Sequence, residues 1–202
     1  MRRFRPLQGY SRRLYLYRSS GAETDIEALR LAVETIRGRT GQAPSVVVDY
    51  LKKVQAAASS ADRRRPARPS EDDRISEVVE GLKDVALDPS VLVLGLAAVD
   101  NSGLSAATRT RVQDLRGSSA LTHEADIVLI LNNIDVVARH HLMYNLANAA
   151  QFHSWVVMSI EKNRNGVDNV DLKFRKHFEH NRFEPDRGRV QEELVDELGF
   201  VK

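Results

Sequence analysis

Asp49 is the residue whose type and setting point most directly to chemistry. It falls in the run PSVVVDYLKKV, residues 44–54, where small and β-branched residues predict a short buried strand that delivers the carboxylate to its carboxyl end. Open α/β sheets bind ligands at that end. A carboxylate oxygen there is also the hard ligand that Mg²⁺ selects while keeping several of its waters. The bland alternative is that Asp49 caps the strand or pairs with Lys52 or Lys53. Two arginine clusters, Arg2, Arg3, Arg5, Arg12 and Arg13 at one end and Arg63, Arg64, Arg65 and Arg68 further on, can bind phosphate groups or can be a solvated tail and loop. His140, His141 and His153 lack a second carboxylate–histidine pattern, which argues against a metal centre there. Phe152 and Trp155 read as core residues.

The elements that would position these groups follow from periodicity. Residues 14–17 (LYLY) predict a first strand, and Thr24-Asp-Ile-Glu27 has the form of a capping box. It opens a helix on which Ile26, Leu29, Val33 and Ile36 share a face until Gly38 and Gly41. The strand carrying Asp49 comes next. Residues 55–73 lose all periodicity in Ala, Ser, Arg and Pro and predict a flexible, Arg-rich loop. A second helix starts near Ser70, carries Ile75, Val78, Val79, Leu82, Val85 and Ala86 on one stripe, and ends at Asp88-Pro89. The apolar run 91–96 predicts a parallel strand covered on both faces.

Residues 101–113, with Arg109 and Arg111 and no apolar stripe, read as a loop. Residues 126–131 predict another buried strand, 134–151 a helix and 155–160 a strand. Asn165-Gly166 predicts a two-residue hairpin turn to an antiparallel strand at 170–174, and 186–198 predicts a short acidic helix. Alternation of this kind implies an α/β fold with a mostly parallel sheet and an antiparallel extension near the C-terminus. The 202 residues suit one domain, and the absence of cysteine excludes disulfides and thiolate metal sites. No apolar run is long enough to span a bilayer and MRRFRPLQGY has no apolar signal core, so the expectation is a cytoplasmic protein with no membrane association.

In this order the chain resembles the C-terminal, RecA-like motor domain of the DnaB family of replicative helicases, from about Leu14 to Phe183. VVVDYLKKV resembles its Walker B strand, DRISEVVEGLKDVA the helix after it, QDLRGSSALTHEADIVLIL its DNA-binding loop and strand, and EKNRNG its finger hairpin. The resemblance implies a RecA-like sheet flanked by helices, Mg-ATP as cofactor, and single-stranded DNA as partner. It also implies a homo-oligomer or a complex with a Walker A-bearing subunit. Asp49 matches the Walker B aspartate that holds Mg²⁺, with Tyr50 the aromatic beside it. Arg116, Gly117 and Ser119 match positions that contact DNA phosphates. Lys162 and Arg164 match fingers that reach the γ-phosphate bound by a neighbouring subunit. Such an assignment is physically sensible, because a backbone-lined loop with one arginine can track phosphates without reading bases, and a hairpin can hold two cations against charge that grows during phosphoryl transfer.

The departures are equally specific. G-x-x-x-x-G-K-[ST] occurs nowhere in the chain, Ala97-Ala98 stand where the family has Ser-Gln, and Lys52 replaces a glutamine. The expectation is therefore one RecA-like domain over 1–202, incomplete at its N-terminus, with a basic tail at 1–13 and the phosphate loop upstream of residue 1. Two functions compete: a helicase-type ATPase domain whose phosphate loop is supplied elsewhere, and a non-catalytic RecA-fold module for nucleic-acid binding or assembly. A recombinase-like or circadian-type relative fits the KNRNG hairpin less well. On the bland reading, Lys162 and Arg164 are solvated hairpin charges.

Overall fold

The computed structural model describes residues 13–17, 24–55, 70–99, 109–115, 118–133 and 154–189. The tail at 1–12, most of the Arg-rich loop and the helix expected at 134–151 lie outside the described residues.

Helix α1 spans Ile26–Thr40, and its N-cap is Asp25, whose carboxylate accepts from the Ala28 N–H at 2.8 Å. The cap thus sits one residue later than the Thr24 box. Asp25 reaches the third N–H itself, while Thr24 is buried. Gly41 ends the helix at φ 73, a left-handed position that glycine takes without steric cost, and its N–H bonds the Arg37 carbonyl. Gly38 remains helical. Helix α2, Glu71–Ala86, begins at Ser70 with a complete capping box to Asp73. Ile26 of α1 lies so close to Gly81 that a Cβ there would meet the isoleucine side chain at 2.7 Å, so a side chain at 81 would push the helices apart.

Strands β1, Val46–Val48, and β2, Val93–Gly95, pair in parallel with Val48 opposite Gly95. Ile26, Val33, Val48, Leu51, Ile75, Val78 and Leu82 belong to one buried cluster beneath them. Among the described residues the expected two-sided cover is not found. Leu92, Leu94 and Leu96 are exposed, as is Val47, because the helical stripes of α1 and α2 pack against one face. Residues 14–17 form no strand: they pair with none of the described strands, and an isolated extended segment has no ladder to hold it.

The second sheet has the order β3-β4-β5-β6 and every neighbouring pair in it is antiparallel. Its strands are β3, Ile127–Asn133; β4, Trp155–Asn163; β5, Val170–His177; and β6, Arg182–Arg189. The α/β class and RecA-like architecture hold, and the antiparallel part is larger than a single hairpin. β3 is buried on one face only, with Val128 and Ile130 inside and Ile127, Leu129 and Leu131 outside. β6 replaces the start of the acidic helix, since it runs on to Arg189, which pairs with Leu172 of β5. Pro185 is tolerated because β6 is an edge strand. The β4–β5 connection is also longer than the predicted turn. It occupies 164–169 and closes where Asn169, at φ 53, donates its N–H to the Ile160 carbonyl at 2.7 Å.

Between the sheets lies an element that no sequence pattern indicated: helix α3, Ser118–Glu124, directly after the 114–117 segment. It was hidden among short polar residues because its burial rests on little more than Ala120, which joins the first cluster with Leu121 packed against it.

Candidate functional site

The parallel pairing gathers three segments at one end. Asp49 follows β1 directly. The Leu96 N–H donates to the Val48 carbonyl and the Leu51 N–H to the Leu96 carbonyl, both at 2.9 Å, which draws Ala97 and Ala98 alongside it. Val99 bridges Leu115, so the segment beginning at Asp114 starts at the same place. Leu115 is buried against Val128 and Ile130.

Asp49 is exposed and makes no hydrogen bond or ion pair among the described residues. Lys52 turns away to Glu71 at 2.5 Å, and Lys53 lies 5.8 Å from the Tyr50 ring centre, within cation–π reach. Neither lysine neutralises the carboxylate, so the expected pairing alternative does not occur. As a single free hard-oxygen ligand at a strand end, Asp49 fits a Mg²⁺ that is otherwise held by water and phosphate. A self-contained protein cage is not available: no group of three or more metal-ligating side chains occurs among the described residues.

Lys162 and Arg164 are brought together, but not to Asp49. Lys162 Nζ donates to the Thr122 carbonyl at 2.6 Å and to that of His123 at 3.4 Å. Arg164 donates to the His123 carbonyl at 2.8 Å and to Asp126 at 3.0 Å. Asp126 also accepts from Lys83 of α2, with both oxygens at 2.9 Å. The Lys83 hydrogen bond, with Arg164 and Lys162 nearby, holds the Asp126 carboxyl below its ordinary range. Lys162 is half-buried and Arg164 exposed, yet both are bonded, which is neither a solvated pair nor a pair aimed at their own chain's strand-end carboxylate.

Of the predicted DNA contacts, Arg116 and Gly117 lie outside the described residues, and Ser119 is exposed on the first turn of α3. Sequence reasoning missed a buried ionic network on the inner face of the second sheet. Arg109 pairs with Asp171, donates to Ser159 Oγ at 2.9 Å and lies 3.7 Å from Glu161, which Arg111 approaches to 2.8 Å. The side chains of Arg109, Glu161 and Asp171 are only 10%, 8% and 13% exposed. Asn132 is buried beside them and exchanges two hydrogen bonds with the Thr110 backbone. The only available signal was two arginines in a loop and alternate acids in two strands, a pairing across about 50 residues that no local pattern encodes.

The profile of the DnaB-like helicase C terminal domain matches residues 8–184. The chain belongs to that family. The family is one of helicase-type ATPase domains that depend in general on nucleotide and Mg²⁺. Two solved structures are similar to it. One is described as an ATPase domain, 19% identical, with a TM-score of 0.62 over 81% of this chain and 52% of that one. The other is a DnaB-like replicative helicase described with its interactions with primase, also 19% identical, with a TM-score of 0.61 over 80% of this chain and 36% of that one. At such identity the likeness is one of fold, and the chain spans about half of the first and little more than a third of the second. A comparison with curated proteins finds no match. No helix among the described residues is long and apolar enough to cross a membrane.

Proposed function

We propose that this chain is a helicase-type ATPase domain that acts on single-stranded DNA within an oligomer or a mixed complex, its phosphate loop coming from outside these 202 residues. The observation that carries the reading is the separation of roles along the chain. Among the described residues Asp49 is unpaired at the strand end, while Lys162 near the end of β4 and Arg164 just after it bond α3 instead of Asp49. Asp49 would hold Mg²⁺, and Mg²⁺ supplies charge neutralisation at transferring phosphates when bound. Lys162 and Arg164 would serve a neighbour's nucleotide. Arg116, Gly117 and Ser119 would track DNA phosphates with an arginine and backbone groups, independent of sequence.

A second reading, a non-catalytic RecA-fold module for DNA binding or assembly, is favoured by Ala97-Ala98 where a polar sensor would stand and by the missing G-x-x-x-x-G-K-[ST]. The deciding experiment is Arg164→Ala mixed with a phosphate-loop-bearing partner. A cation that acts in trans on the transition state contributes on the order of 10³-fold or more in rate and little to nucleotide affinity. Hydrolysis should collapse while assembly and nucleotide binding persist. Full turnover by the mutant complex would reject the finger role, and a chain for which no partner supports hydrolysis is the module.

A further inference from the structure

The last carbonyls of a helix have no later N–H within the helix to satisfy them. In α3 those of Thr122 and His123 are taken by Lys162 and Arg164, which come from a different sheet about 40 residues away. The arrangement is braced at several points. The Arg164 N–H donates to the Asp126 carbonyl at 2.8 Å, its guanidinium bonds the Asp126 carboxylate, and Lys83 fixes that carboxylate from α2. The opposite end of α3 is the expected DNA loop.

We propose that Lys162 and Arg164 form an intrachain clamp on the carboxyl end of α3, with Asp126 as the positioning residue, and that a phosphate group engaging these cations competes with the clamp and loosens α3. The inference rests on the finger and loop assignments above and adds the link between them. The physical basis is donor geometry. The two terminal guanidinium nitrogens of Arg164 are committed to His123 and Asp126, and bidentate capture of a phosphate uses the same fork. Lys162 likewise spends its short bond on the Thr122 carbonyl. Holding α3 and holding a phosphate are therefore alternative states of the same side chains, and the phosphate occupancy of one site is communicated to α3 and to Ser119 in its first turn.

The test uses the full chain, with amide hydrogen exchange of α3 and binding of an oligothymidylate at low salt. Asp126→Asn removes a negative charge, which by electrostatics alone tightens DNA binding. The clamp has the opposite sign. The variant should bind DNA more weakly and exchange its α3 amides roughly threefold faster or more, the size expected for losing exposed charge-assisted contacts, while β4 and β5 stay protected. Tighter binding with unchanged α3 exchange would overturn the clamp. Inorganic triphosphate with Mg²⁺ should accelerate α3 exchange in the wild type but not in Lys162→Gln with Arg164→Gln, where the clamp is already open; equal responses, or none in either, would overturn the competition. If the wild type binds no oligothymidylate, the DNA reading of the loop fails on its own, and the exchange measurements still decide the clamp.

Discussion

At the scale of single residues, polar groups here are tuned by their immediate neighbours. Asp88, just past the end of α2, accepts from the hydroxyl and the N–H of Ser90 and pairs with Arg37 of α1. Ser90 first and Arg37 after it lower its carboxyl from 3.8 to about 2. Because the folded-state value is the depressed one, the stabilising contribution is present above the unfolded value and is lost as pH falls from about 3.8 toward 2. Asp88→Asn should therefore lower the thermal midpoint at pH 7, and the gap to wild type should close as melting is repeated below pH 3. A gap that does not change with pH would show that the ionised carboxylate is not what joins the two helices.

At the scale of elements, the inner face of the second sheet is held to the 109–111 strap by ions rather than by apolar packing. Breaking a buried pair leaves an uncompensated charge, which costs far more than the pair gains. Arg109→Met should cost about 3 kcal/mol or more by denaturant titration, because Asp171 loses its paired cation and Glu161 keeps only Arg111. Arg109→Met with Asp171→Leu should recover much of that loss, since replacing both partners removes the stranded charge. Should the single substitution cost less than about 1 kcal/mol, the network would be solvated rather than buried.

For the whole molecule, the proposed lack of a phosphate loop within these residues predicts poor nucleotide retention. A triphosphate without a cradle of backbone N–H groups and its lysine loses most of its charge-assisted contacts. The purified chain should thus bind Mg·ATP at about millimolar affinity or worse, and calorimetry yielding micromolar binding would show that a cradle exists elsewhere in the chain. DNA binding should be weak, indifferent to sequence and steeply dependent on salt, because the proposed contacts are to phosphates. Arg116→Ala should weaken it at low salt and flatten the salt dependence by about one ion. An unchanged titration would move the contact to the cluster at Arg63, Arg64, Arg65 and Arg68.

What the sequence determined by itself was local. The α2 stripe of Ile75, Val78, Val79 and Leu82 and its Ser70 cap depend on residues three or four apart, as does the α1 stripe, and each was legible from spacing alone. The strand ending in Asp49 and the apolar run at 91–96 were likewise legible, since β-branched runs between helices have few other uses. Tertiary structure decided the rest. Which face of β2 and β3 is covered depends on what packs there, and a strand's composition does not specify its neighbours. Residues 186–189 lie in β6 instead of opening the expected acidic helix because an open edge of β5 offers the strand a ladder. The pairing of Arg109 with Asp171 spans 62 positions, and the bond from Lys162 to the end of α3 spans 40. Such contacts form only after the chain has folded back on itself, so the resemblance singled out Lys162 and Arg164, while only the assembled sheets showed that they bond the chain's own α3.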